Sequence, residues 1–183
     1  MSVIRMQSIA VKHNIEVAHR LFELPGKCEQ IHGHSMWVTM ELFGPKNNRG
    51  ILGGIEYGDL KKMFRGHLDE EYDHRLLLNR DDPYAQPIFM ATQVTEERVE
   101  WGQQHFLPGL NPTPGDPTTE NISEWVAQEM ESQLFLMGHK DLFRMEVTVW
   151  ETSVNMAKTE IGLERGAEVY SSKNEISERF EPR

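Results

Sequence analysis

Apolar and polar residues alternate along several short stretches of the chain, and apolar residues recur every three or four positions along two longer ones. Alternation sends successive side chains to opposite faces of a strand, and the longer period lays a stripe along one side of a helix. Residues 3–11, rich in β-branched side chains, predict a first strand, and residues 14–22 a second with Ile15, Val17 and His19 on one face. Residues 34–43 predict a third, closed by the turn-forming run Gly44-Pro45-Lys46-Asn47-Asn48-Arg49-Gly50. Ile51 to Tyr57, with Gly53 and Gly54 inside it, reads as a short further strand. Near the other end, Phe143, Met145, Val147 and Val149 share a face that Glu151 terminates with a carboxylate, and Met156–Ile161 gives one more strand.

The helical period appears first at Leu60, Met63, Phe64 and Leu68, behind a start at Gly58 or Asp59. It returns at Ile122, Trp125, Val126, Met130, Leu134 and Met137, with Thr118 or Thr119 as the cap and Gly138 as the stop. Residues 81–87 read as loop, 94–102 as a short helix, and Pro108–Pro117 as a connection too rich in proline and glycine for regular structure. Strands and helices in this mixed order predict an α+β domain over residues 1–170, followed by a polar tail or surface cap at 171–183. No segment repeats at a fixed period, which excludes solenoids and propellers.

Composition narrows the function. At 183 residues the chain is long enough for one well-buried core without covalent staples. Its single cysteine excludes an intrachain disulfide and fits a reducing compartment. No apolar run near Met1–Ala10 resembles a signal or membrane segment, so a soluble, cytoplasmic protein is expected. A net charge of -10 disfavours nucleic acid and anionic membranes as partners. An anionic substrate would need focused positive groups, for which Lys12, Arg20, Lys27 and Arg75 are the candidates.

The chemistry concentrates between His19 and His34. In His32-Gly33-His34 the strand period puts both imidazoles on one face and the glycine opposite. His19, at the end of the preceding strand, is positioned to fold back as a third ligand, and its bland alternative is a buried, hydrogen-bonded core histidine. Three imidazoles leave zinc an open position, the arrangement of a catalytic site. A structural site with Cys28 as fourth ligand is the alternative; the preferred role for Cys28 is a thiolate base beside the metal. Asp73-His74 is a second titratable pair, an acid able to orient a ring for proton relay, although adjacent residues often point apart. Glu151 is either a rim charge or a partner for the edge of a purine or pterin ring, and His67, beside an apolar stripe, is expected to be structural or exposed.

As an ordered set, Ala18-His19, Cys28-x3-His32-Gly33-His34, Asp73-His74-Arg75 with Leu78-Asn79, Pro117-Thr118-Thr119-Glu120-Asn121 and Glu151-Thr152 resembles the 6-pyruvoyltetrahydropterin synthase and 6-carboxytetrahydropterin synthase family. The resemblance implies a tunnelling fold: a four-stranded antiparallel sheet with two helices on one side, trimers closing into a β-barrel, and two trimers forming a homo-hexamer. It implies zinc on His19, His32 and His34, with Cys28, Asp73 and His74 as the catalytic set. Glu151 would anchor the pterin in a pocket shaped by Thr118, Thr119 and Glu120. The implied reaction converts 7,8-dihydroneopterin triphosphate to 6-carboxy-5,6,7,8-tetrahydropterin, releasing acetaldehyde and triphosphate on the route to queuosine and other 7-deazaguanines. Glu29, directly after the cysteine, resembles a variant pattern in which the glutamate is a base for cleavage to 6-hydroxymethyl-7,8-dihydropterin for folate. Cleavage of that kind, alone or as a second activity, and pterin binding without catalysis are the alternative functions. Two segments depart from the family: Gly53–Leu60, and the stretch 80–116, which is longer than usual.

Overall fold

A computed structural model describes residues 7–92, 110–139 and 141–163. Its centre is a pair of long antiparallel strands, β1 (Gln7–His19) and β2 (His32–Gly44), in register from Gln7 opposite Gly44 to His19 opposite His32. Strand β3 (Arg75–Asn79) runs parallel to the end of β1, and β4 (Leu110–Thr113) runs parallel to β3. On the other side β5 (Arg144–Trp150) pairs antiparallel with β2, and β6 (Met156–Gly162) antiparallel with β5. The sheet order is therefore β4-β3-β1-β2-β5-β6. The expected four antiparallel strands are β1, β2, β5 and β6, and the two short parallel strands extend them.

Alternation decides which face is covered. Val11, Ile15 and Val17 of β1, Met36, Val38, Met40 and Leu42 of β2, and Met145, Val147 and Val149 of β5 are buried on one face. Against it pack helix α1 (Tyr57–Glu71), through Leu60, Phe64 and Leu68, and helix α3 (Thr119–Leu136), through Ile122, Val126, Met130 and Leu134. Each such side chain contributes about 1.5–3 kcal/mol when removed from water. Thr118 caps α3 by accepting from the Asn121 N–H at 3.2 Å. The two long helices are joined by Glu129 of α3, whose carboxylate accepts from His67 at 2.7 Å and from the buried Tyr72 hydroxyl at 2.9 Å, so His67 has a structural role.

Four expectations need correction. The runs 3–11 and 14–22 are one strand within the described residues, because the polar stretch Lys12-His13-Asn14 that divides them in the sequence is satisfied in place. His13 contacts Asp69 at 2.5 Å and accepts from Arg65 of α1 at 3.2 Å, while Asn14 donates to Ser35 and to the Met36 carbonyl. The expected strand at Ile51–Tyr57 is instead a turn with a single bridge from Leu52 to Lys46, leading into α1 at Tyr57; Gly53 and Gly54 take positive φ, and a Cβ on Gly53 would stand 2.7 Å from Leu142. Residues 110–113 form β4 despite Pro112, because an edge strand spares an amide hydrogen more easily than a central one. The expected loop at 81–87 gives way to helix α2 (Ala85–Thr92), which packs Ala85 and Phe89 against Leu78 and Leu110. The helix expected at 94–102 and the tail at 171–183 lie outside the described residues. Among the described residues no helix is long and apolar enough to cross a membrane.

Candidate metal and pterin site

The covered face of the sheet ends in three histidines. His19 and His32 are register partners at the end of the β1–β2 pair, and His34 lies two residues further along β2, on the same face as His32. Their ring centroids are 4.5 Å (His19–His32), 5.2 Å (His19–His34) and 5.1 Å (His32–His34) apart, and one nitrogen from each lies within 4.8 Å of the others. Gly33 between them brings the strands close: a Cβ there would stand 3.0 Å from the Val17 carbonyl oxygen.

The hydrogen bonds fix which nitrogen each ring offers. A carbonyl oxygen only accepts, so His19 Nδ1 donates to Pro117 at 2.9 Å and His32 Nδ1 donates to Gln30 at 2.7 Å. That leaves the Nε2 lone pair of each neutral ring for a metal, oriented by an outer backbone partner as in most histidine metal sites. His19 is fully buried and its Nε2 has no hydrogen-bond partner, a costly state that a bound cation resolves. Burial holds its pKa below the ordinary value, and the neighbouring imidazoles act in the same direction against the Pro117 contact. The donor set and the orphaned nitrogen fit a divalent metal. Among the described residues the cluster consists of these three histidines, without Cys28.

Around the cluster, Glu151 follows β5 with a carboxylate oxygen 3.8 Å from both His19 Nε2 and His34 Nε2, at 21% side-chain exposure. Thr118, Thr119 and Glu120 form the start of α3, directly after the carbonyl that orients His19. Cys28 sits half-buried on a single 3₁₀ turn, Lys27–Glu29, entered through Gly26 at φ 126°. Its carbonyl accepts from Leu21 N–H at 2.9 Å, and Glu29 on the same turn keeps a side chain 45% exposed.

Asp73 and His74 occupy the link between α1 and β3. Asp73 accepts from the Glu16 N–H at 2.8 Å and from His74 Nδ1 at 2.7 Å. Partial burial pushes the Asp73 pKa up, but these two contacts outweigh it and hold the carboxyl below its ordinary value. His74 is 79% exposed and borders a cleft of about 520 Å³ shared with Glu16, Gly33, His34 and Ser35. Glu16, Gly33 and Ser35 belong to the alternate positions of β1 and β2, so this cleft opens on the face turned away from the long helices.

Of the four cations considered for an anionic substrate, Arg20 is withdrawn from that role. It is 7% exposed and committed to Asp82 at 2.5 Å and to the Glu29 carbonyl at 2.5 Å. Lys12 lies over the Trp37 ring at 4.4 Å, and Arg75 donates to the Glu70 carbonyl. The sequence reading missed the orienting carbonyls of Pro117 and Gln30, which carry no residue-type signal. It also missed the Arg20–Asp82 pair, whose only hint was a charged residue directly after His19.

A sheet with two helices on one face and a histidine trio at its end matches the tunnelling fold that the sequence resemblance implies. The family model described as 6-pyruvoyl tetrahydropterin synthase matches residues 8–161, and the chain belongs to that family. The 6-carboxy-5,6,7,8-tetrahydropterin synthase of Rickettsia conorii is 27% identical over 139 residues, 75% of this chain and 88% of that protein. The enzyme of the same name from Bacillus subtilis is 30% identical over 108 residues, 55% of this chain and 68% of that one. Solved structures share the fold: a protein of Wolinella succinogenes at TM-score 0.65 and 20% identity, covering 85% of this chain and 98% of that one. The 6-pyruvoyl tetrahydropterin synthase of Plasmodium vivax gives TM-score 0.61 and 20% identity over 87% and 99% of the two chains. The family indicates a lyase-type enzyme acting on a pterin.

Proposed function

We propose that the chain is a zinc-dependent 6-carboxy-5,6,7,8-tetrahydropterin synthase that converts 7,8-dihydroneopterin triphosphate and releases acetaldehyde and triphosphate, in the cytoplasmic supply of 7-deazaguanines such as queuosine. The observation that carries this reading is the convergence of His19, His32 and His34 with an orphaned buried Nε2 and with Cys28 left out of the cluster. The naming of the bacterial relatives supports the carboxy-forming branch.

His19, His32 and His34 would hold the zinc, which when bound withdraws electron density from a side-chain hydroxyl oxygen and makes neighbouring carbon-bound protons easier to remove. Cys28 takes up such a proton as the thiolate. His74, oriented through Nδ1 by Asp73, would relay protons as the family resemblance implies, from a cleft on the face of the sheet opposite to the histidine cluster of the same chain. Glu151 accepts from the pterin's amino group and ring N–H, and the Thr118–Glu120 segment bounds the ring. The unpaired outer edge of β6 among the described residues supports assembly through sheet edges, in keeping with a homo-hexamer built from two trimers.

Glu29 supports a second reading, because it shares the 3₁₀ turn with Cys28 and keeps a half-exposed carboxylate. In that reading it is a base for cleavage to 6-hydroxymethyl-7,8-dihydropterin. Incubating the zinc-loaded protein with 7,8-dihydroneopterin triphosphate and weighing the pterin formed tests both. A 6-carboxytetrahydropterin product with acetaldehyde supports the first, the hydroxymethyl product the second, and unchanged substrate refutes both.

A further inference from the structure

A buried ion pair stands behind the Cys28 turn. Arg20 follows His19 directly, and its guanidinium has four partners, one of them the Glu29 carboxylate 3.9 Å from Nη2. Nη1 donates to Asp82 Oδ1 at 2.5 Å, the plane lies 4.2 Å from the Tyr84 ring centroid, and Nε donates to the Glu29 carbonyl at 2.5 Å. Asp82 has no exposed side-chain surface, and its Oδ2 is buried without a partner. Its Oδ1 also accepts from the Tyr84 N–H at 2.8 Å, so acid and ring form one rigid unit.

A guanidinium is planar, so fixing Nη1 and one face fixes Nε as well. The carbonyl that Nε holds belongs to the residue after Cys28. The next residue, Leu21, grips the other side of the turn through its N–H to the Cys28 carbonyl at 2.9 Å. One continuous stretch of backbone thus carries the metal-cluster histidine and both grips on the thiol's turn. We infer that Arg20 is a positioning residue that sets the Cys28 turn relative to His19, and that the Asp82–Tyr84 turn, at the start of the long 80–116 segment, locks Arg20 for that purpose. The catalytic meaning rests on the proposed role of Cys28; the mechanical claim does not.

Cys28 is the chain's single cysteine, so alkylation of the zinc-loaded full-length protein by iodoacetamide reads this turn alone. Arg20→Lys and Asp82→Asn each remove a charge-assisted hydrogen bond, and Cys28 labelling is expected to quicken by about tenfold with zinc content retained. Turnover is expected to lose kcat while KM stays near wild type. Tyr84 is 51% exposed, so Tyr84→Ala removes the ring without stranding a charge and is expected to quicken labelling by about threefold even where the charge variants fail to fold. Leu134→Ala, in the core under α3, lowers stability with labelling unchanged. Labelling unchanged in Tyr84→Ala, or labelling that merely follows melting temperature along the line set by Leu134→Ala, overturns the inference. Because alkylation needs no substrate, this result is separate from whether a pterin is converted.

Discussion

Gly33→Ala tests how the metal cluster is built. Gly33 is the register partner of Ala18, and the flanking pairs are His19 with His32 and Val17 with His34. An added Cβ would lie 3.0 Å from the Val17 carbonyl oxygen, whereas ordinary contact begins at 3.4 Å, so the strands must part locally by the difference, about 0.4 Å. Two effects on stability oppose each other. Alanine narrows the unfolded ensemble and stabilises by about 0.4–1 kcal/mol, while forcing backbone apart costs about 1–3 kcal/mol. The net loss is about 1 kcal/mol, which moves the melting temperature by about 2–4 °C for a chain of this size.

Zinc binding at the cluster, as proposed, should respond more strongly than the fold. Metal-ligand distances tolerate about 0.2 Å, so a shift of twice that between the strands carrying all three rings should weaken binding by about 10–100-fold. Competition between protein and a chromophoric chelator for zinc measures the affinity, and thermal melts of the metal-free form measure the fold. A Gly33→Ala protein that binds zinc as tightly as the wild type would refute the claim that close strand approach sets the ligand geometry. So would a loss of affinity fully matched by unfolding of the metal-free form.

Three further outcomes are expected. His34→Ala reduces bound zinc from one per chain to near zero by elemental analysis, whereas His67→Ala, which loses only its Glu129 contact, keeps its zinc and melts lower. Cys28→Ala keeps its zinc and loses turnover; loss of the metal instead would make the thiol a ligand and remove its role as a base. Asp73 has a folded pKa depressed from its ordinary 3.8, so its stabilising contribution is present above that value and is lost as pH falls through the folded pKa. Asp73→Asn should therefore be about 1 kcal/mol less stable at neutral pH and show a shallower acid limb in urea unfolding, and an unchanged acid limb would contradict the assignment.

Much of this was legible because strand alternation is local. Placing His32 and His34 on one face needs only the period of two, and ending the covered face of β5 at Glu151 needs only the same count. What alternation cannot supply is the partner across a strand or helix. His13 read as a break because its partners, Asp69 and Arg65, lie more than fifty positions away on α1. Arg20 read as a free cation because Asp82 is 62 positions distant. Helix α2 and strand β4 were hidden by Pro87 and Pro112, residues that argue against regular structure except near a helix start or on a sheet edge.

Asp73 and His74 show how a local rule fails for a local reason. Neighbours on a strand or helix point apart, which argued against their acting as a pair. The chain leaves α1 with the Asp73 N–H still bonded to the Leu68 carbonyl and enters β3 with the His74 N–H bonded to the Glu16 carbonyl. Between these two constraints His74 adopts φ 58°, the left-handed region that histidine tolerates better than β-branched residues do. That conformation costs about 1 kcal/mol or more and swings the ring back so that Nδ1 meets its own neighbour's carboxylate at 2.7 Å. Glycine would relieve the strain and remove the ring with it. With histidine the strained backbone instead holds the ring against Asp73, at the border of the cleft that it shares with Glu16, Gly33 and Ser35.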